Sequence, residues 1–225
     1  MSQSPVRIKM ILSMPFAENT YVAHLEGRQD CVVVDPGMEP EKIVDYLDEA
    51  KLTPAAILLT HGHADHIAGN AALKDRWPAA PLVIGHAEAN KLVDAQANLS
   101  GAFGLPITSP PADTLLREGE VYEAAGFRFE VYEIPGHSSG HIVFVCRDVA
   151  PIVIFGGDVL FAGSIGRTDF PDGDFNLLAS GIRDKLFVLP DDAVVLSGHG
   201  DPTTIGEERR GNPFVGENAG AYGLD

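Results

Sequence analysis

Residues 60–69 read "THGHADHIAG" and put His61, His63, Asp65 and His66 within six positions. Neutral imidazole and carboxylate are ligands for divalent cations such as zinc. A buried cluster of them without a cation leaves many polar atoms unsatisfied. More donors follow in one repeated context, directly after an apolar run. "CVVV" leads into Asp35, "AILLT" into His61 and His63, "YEIPG" into His137, "VIFGG" into Asp158 and "VVLSG" into His199. Three of these residues are reached through a glycine, which lets the backbone turn sharply. His61, His63, Asp65, His66, His137, Asp158 and His199 make seven donors. A catalytic zinc takes three protein ligands and keeps one open position, so seven exceed one ion and suit two that share a carboxylate. No thiolate belongs to the set, so two divalent ions are expected, zinc first, with iron or manganese open.

The segments that must carry these donors read as interleaved strands and helices. Residues 6–12 predict a strand, and 19–35 a hairpin turning near Gly27. Residues 39–51 predict a helix with Pro40 in its first turn and Ile43, Val44 and Leu47 on one face. Residues 54–60 and 81–85 are short apolar runs expected as strands, and helical spacing resumes over 64–77 and 86–98. Residues 120–136 predict a hairpin turning at Ala125-Gly126, and 141–158 a second one turning at Asp148 to Pro151. Residues 174–189 predict a helix capped by Asp174, with Leu177, Leu178, Ile182 and Leu186 on one face. The last strand falls in 193–200. If these strands share an edge, their carboxyl ends bring the donors to one place, as in α/β sheets.

Residues 99–114 are rich in Gly, Pro and Ser and carry one aromatic, Phe103. They predict a loop that is either a lid over the site or a plain surface connection. The tail from about 211 shows no periodicity and is expected to lie irregularly on the surface. No linker is evident, so one α/β domain is expected over residues 1–225.

Charge and composition exclude several classes. A net charge of −16 argues against nucleic acid, whose phosphates need a Lys/Arg excess. No apolar run approaches the roughly 20 residues that span a bilayer, and the N-terminus lacks a signal-peptide pattern. Cys31 and Cys146 each sit inside an apolar run and read as buried thiols, which points to the cytoplasm. A small-molecule substrate is expected, with the oligomeric state open.

"THGHADH", "PGHSSGH", "GGDVLF" and "SGHG" together resemble the metallo-β-lactamase fold superfamily, specifically its glyoxalase II-like hydrolases. "GSIGRTDFPDGD" (163–174) is similar to the short, single-domain bacterial members, and the likeness runs from "VVVDPG" to "GHGDPT". The resemblance implies a four-layered αβ/βα sandwich with metals at one edge of two sheets. It implies one metal on His61, His63 and His137, another on Asp65, His66 and His199, and Asp158 bridging them. Asp35 matches a position that orients a ligand histidine, and His141 stands behind the ligands. His24 and His86 read as structural.

The chemistry this implies is attack by a metal-bound hydroxide on a polarised carbonyl, with Asp65 and Asp158 holding and orienting the nucleophile. A leaving thiolate, from a thiol of pKa about 8.5, needs little acid help. Thioester hydrolysis of S-lactoylglutathione-type substrates is therefore the expected reaction. Larger relatives grip glutathione through a C-terminal helical domain, whereas only 26 residues follow His199 here. Arg167 is the expected receiver of a substrate carboxylate, with Arg209 and Arg210 behind it or serving as helix-terminal cations, and Phe103 a further substrate contact. The alternative reaction is a persulfide dioxygenase with one Fe(II) on His61, His137 and Asp158. His141 favours the hydrolase, because dioxygenases of that type usually carry cysteine there. A metal-loaded but catalytically idle binding module is the third reading.

Overall fold

The structure is a computed structural model and describes residues 5–219. Two mixed six-stranded sheets face each other, with helices on both outer faces. In the first sheet β1 (Val6–Ser13), β2 (Glu18–Leu25) and β3 (Asp30–Val34) form an antiparallel meander. β4 (Thr53–Leu58), β5 (Leu82–Gly85) and β6 (Thr114–Leu116) extend it in parallel. Parallel neighbours need crossovers. These are supplied by α1 (Pro40–Ala50), by the pair α2 (Ala64–Ile67) and α3 (Asn70–Arg76), and by α4 (Ala89–Val93).

The second sheet begins with the antiparallel run β7 (Val121–Ala124), β8 (Phe127–Glu133), β9 (Ile142–Cys146) and β10 (Val153–Gly157). A small hairpin of β11 (Leu160–Phe161) and β12 (Ser164–Ile165) follows, then α5 (Phe175–Gly181). β13 (Val194–Ser197) pairs in parallel with β10, β14 (Thr203–Thr204) closes the sheet, and α6 (Ile205–Gly211) follows it.

Strict alternation of buried faces builds the four layers. In β3, Val32 and Val34 pack between the sheets, while Cys31 and Val33 meet Ile43 and Leu47 of α1 on the outer side. In β9, Ile142, Phe144 and Cys146 join the inter-sheet core, and Val143 and Val145 meet Leu178 and Ile182. Strands covered on both sides read as unbroken apolar runs, as "CVVV" and "IVFVC" do. Full burial of each such side chain stabilises by roughly 1.5–3 kcal/mol.

Several elements depart from the sequence expectation for local reasons. The helix expected over 86–98 is a short turn, His86–Glu88, followed by α4, which stops at Val93. There the Asp94 carboxylate accepts the Gln96 amide at 2.9 Å and draws the chain into a turn. The helix expected over 64–77 breaks at Gly69, whose amide donates to Pro36 O at 2.9 Å. Asp174 caps α5 as expected, accepting from the Leu177 amide, but the helix passes into a π-turn at Ile182–Leu186. Leu178, Ile182 and Leu186 are buried, whereas Leu177 is 50% exposed and lies off the packed face. The loop after α4 ends sooner than expected, because residues 114–116 join the sheet as β6. Residues 213–219 form turns, yet Val215 is buried in the core against α5, so the tail is irregular without being superficial.

Strand direction now fixes where the donors fall. β3, β4 and β5 are mutually parallel, and so are β8, β10 and β13. Asp35, His61, His137, Asp158 and His199 all follow the carboxyl ends of these strands. At that edge the two sheets are joined directly. Asn19 Nδ2 donates to Ser197 O at 3.0 Å and Gly200 O at 2.7 Å, and the Tyr21 hydroxyl donates to Ser197 O at 2.7 Å. The Ile142 amide donates to Thr60 O at 2.9 Å.

Candidate metal centre

His61 and His63 lie in the irregular segment between β4 and α2, and His137 follows β8. Their ring nitrogens meet: His61 Nε2 lies 3.1 Å from His63 Nδ1, which lies 2.9 Å from His137 Nε2. The outer nitrogens of two rings are already committed. His61 Nδ1–H donates to Thr60 Oγ1 at 3.1 Å, and His137 Nδ1–H to Arg167 O at 2.9 Å. That leaves bare lone pairs on both Nε2 atoms, aimed at a third nitrogen. Three imidazole nitrogens cannot satisfy one another in this way, but nitrogens sharing one tetrahedral zinc stand about 3.3 Å apart. A cation fits here.

The second cluster is richer in carboxylate. His199 Nε2 lies 3.3 Å from Asp65 Oδ2, and His66 Nε2 lies 3.9 Å from the same oxygen. Asp158 stands between the clusters, its Oδ2 3.4 Å from His137 Nε2 and 3.5 Å from His199 Nε2, and its Oδ1 3.5 Å from His66 Nε2. His66 Nε2 and Asp158 Oδ1 are buried without a hydrogen-bond partner, the signature of atoms waiting for a ligand. Gly157 and Gly198 make the approach possible. A side chain at Gly157 would run into Thr60, and one at Gly198 into Asp158 and His66.

Electrostatics divide the two clusters. Burial, and then the neighbouring imidazoles, push His61 and His63 well below the usual histidine pKa, so both are neutral donors. Burial acts against charge on His66 and His199 too, but Asp158 and Asp65 outweigh it and hold both above the usual value. Burial likewise works to raise Asp65, yet His66 and His199 hold it well below the carboxylate range. The second cluster thus concentrates carboxylate charge for a cation to balance.

Asp35 and His141 sit immediately behind these atoms. Asp35 Oδ1 accepts the Thr60 amide at 2.8 Å, and Oδ2 accepts the Thr60 hydroxyl at 2.7 Å and His66 Nδ1–H at 3.2 Å. His141 stacks on His61, ring centroids 4.7 Å apart, and its Nε2 accepts the Asp158 amide at 3.0 Å. Burial keeps His141 neutral, as that acceptor role requires.

A cavity of about 400 Å³ opens over the cluster. Phe16, Leu99, Leu105, Ile107, Phe161 and Phe170 give it apolar walls. The loop of residues 99–113 is therefore a wall of the site. It is tied down by Asn98, whose Nδ2 donates to Ile107 O at 2.9 Å and whose Oδ1 accepts the Ser100 hydroxyl at 2.6 Å. The Phe103 side chain lies outside the described residues. Arg167 reaches the rim but is exposed and already paired. Its Nε and Nη2 each meet Asp169 at 2.7 Å, and its guanidinium stacks 4.3 Å from the Phe170 ring. Arg209 and Arg210 end α6 and pair with Asp191, away from the cavity wall. His86 is exposed and His24 lies part-buried on β2; neither lines the cavity.

Sequence reasoning missed four residues that hold the site: Asn19, Tyr21, Thr60 and Glu88. Thr60 stands beside the first histidine and could have been read as its partner. Glu88, in "HAEANK", carries no such signal, because a charged residue in a helical stretch reads as solvent-facing.

A sequence model of the metallo-β-lactamase superfamily matches residues 14–199. The hydroxyacylglutathione hydrolase GloC of Haemophilus influenzae is 40% identical over 193 residues, covering 84% of this chain and 89% of that protein. Among solved structures, the BLEG-1 B3 metallo-β-lactamase is 40% identical with a TM-score of 0.88, covering 93% of this chain and 99% of its own. TTHA1623 in a di-iron-bound form is 35% identical with a TM-score of 0.79, covering 92% and 99%. The chain belongs to the metallo-β-lactamase superfamily and is a metal-dependent hydrolase of that family.

Proposed function

We propose that this protein hydrolyses small thioesters of the S-lactoylglutathione type, with two divalent cations, zinc or iron, on the seven donors. The cavity lining carries the reading. Every titratable side chain on its wall except Arg167 belongs to the donor set: His63, Asp65, His137, Asp158 and His199. Among the described residues, none on that wall is left to protonate a leaving group. A thiolate departs unaided, whereas an amine or alkoxide requires a proton. The name of the GloC relative points to the same thioester class.

When bound, the cations supply a water of lowered pKa and polarise the substrate carbonyl. The chain's residues do the rest. Asp65 and Asp158 orient the nucleophile, and Asp35 with Thr60 fixes the histidine tautomers. The apolar wall excludes bulk water, and Arg167 receives a substrate carboxylate by exchanging its contact with Asp169. Exposed ion pairs contribute little in water, so that exchange costs little. The buried, unpaired thiols of Cys31 and Cys146 support a reducing cytoplasm as its home.

The deciding experiment is release of glutathione from S-lactoylglutathione by the purified protein, before and after a chelator. Rapid, chelator-sensitive release is expected. No release from protein carrying two metal equivalents would overturn the substrate assignment, and oxygen consumption with glutathione persulfide would then be measured.

A further inference from the structure

Behind the first cluster lies a second polar centre, Glu88 with Lys91, which belongs to neither donor cluster and does not line the cavity. Glu88 is 0% exposed and Lys91 6% exposed, on the short turn and helix that follow β5. Glu88 Oε2 accepts the amide of Gly62, the residue between His61 and His63, at 2.8 Å. Its Oε1 accepts the Ser138 hydroxyl and the Gly140 amide, each at 2.7 Å, from the loop that begins with His137. Lys91 Nζ donates to Glu88 Oε1 at 3.1 Å and to Asp172 Oδ2 at 2.6 Å, and also contacts Ser138. Asp172 in turn accepts the Ser139 amide at 3.0 Å. One carboxylate therefore grips both loops that supply the three nitrogens, one from each sheet. There is no slack: a Cβ on Gly62 would lie 2.5 Å from Lys91 Cβ, and one on Gly140 2.5 Å from Ala87 Cβ.

We propose that Glu88, seated by Lys91, is a positioning residue that sets the separation of the His61–His63 loop from the His137 loop, and so tunes the first metal site without touching it. The proposal rests on the metal reading above. The second cluster draws Asp65 and His66 from α2 and His199 from the segment after β13, and has no hydrogen bond to this centre among the described residues. Loss of the clamp should therefore be felt unequally by the two sites.

Glu88→Gln is the test. Three donors converge on Oε1, so the amide oxygen takes that place and its NH2 faces the Gly62 N–H, donor against donor. Zinc affinity is measured by competition with a chromophoric chelator, together with the visible spectrum of the cobalt-loaded protein. One equivalent is expected to bind about tenfold or more weakly, a typical effect for a group behind a ligand, while the other is unchanged. Glu208→Gln, at a buried carboxylate that binds Thr203, Gly163 and Asn212, is the control for stability loss alone. It should lower the melting temperature and keep both equivalents tight. If Glu88→Gln does not fold, Ser138→Ala removes one donor to the clamp and should weaken the same equivalent several-fold. Equal weakening of both equivalents, or of neither, overturns the proposal. A wild-type protein that binds two equivalents but cleaves no thioester would sink the substrate assignment and leave this inference standing.

Discussion

The imidazole of His66 is held from behind by the carboxylate of Asp35, Nδ1 to Oδ2 at 3.2 Å, with both side chains buried. The same oxygen accepts the Thr60 hydroxyl, which meets His61 Nδ1. One carboxylate thus sets the tautomer of a histidine in each cluster, turning both Nε2 lone pairs inward.

Asp35→Asn tests that arrangement. The amide oxygen must stay on the Thr60 N–H, so the NH2 faces His66 Nδ1 and drives its proton to Nε2. A 10- to 100-fold loss of metal affinity is expected, with activity falling in step. Metal retained on dialysis against a graded chelator measures it, and unchanged retention would refute the orienting role.

Asp158→Ala removes the carboxylate that stands between the clusters and faces His137, His199 and His66. Activity should vanish and bound metal should fall from two equivalents to one or none, read by elemental analysis. His63→Ala should likewise abolish activity and lower the metal content. Full metal content with preserved turnover in either variant would contradict the ligand assignment.

Arg167 and Asp169 make an opposed pair of predictions. Arg167→Ala should raise KM for a carboxylate-bearing thioester about fivefold, and Asp169→Asn should lower it, because the guanidinium no longer has to be released from its partner. In both, kcat should stay within about twofold, the pattern of uniform binding. An unchanged KM in Arg167→Ala removes its substrate role.

Asp172 gives the protein an acid-side signature. Partial burial works to raise its pKa, but Lys91 overcomes it and holds the carboxyl below the usual range. A depressed folded pKa contributes stability that is complete above the unfolded value near 4 and is lost as pH falls through the folded one. Urea unfolding of wild type and Asp172→Asn should therefore differ at pH 6, and the gap should narrow progressively as pH falls below about 4. A gap of constant size from pH 6 down to pH 2 would show that the pair acts by packing rather than charge.

Much of this site was legible because its donors announce themselves twice, by residue type and by position after an apolar run. His61, His63, His137, Asp158 and His199 each follow a strand whose direction the sheets later supplied. Arg167 was legible as a nearby cation, but its capture by Asp169 two residues on was not, since nothing in "GRTDF" distinguishes a free guanidinium from a paired one. Leu177 was read into a helical stripe and proved exposed, because Leu178, one residue on, shares the packed face with Ile182 and Leu186 at a spacing of four.

The sequence alone determined which residues are available: seven donors, strands apolar on both faces, and no surplus cation for nucleic acid. These are local properties, fixed by side-chain chemistry and by periods of two and 3.6 residues. Only the tertiary structure decided which donors share a cluster, that Asp158 lies between the two, and that Glu88 and Lys91 are buried rather than solvated. Each of these depends on two chain segments far apart in sequence meeting at a few ångströms, as Gly62 and Gly140 do on one carboxylate. No local pattern encodes such a meeting; it follows from the packing of one sheet against the other.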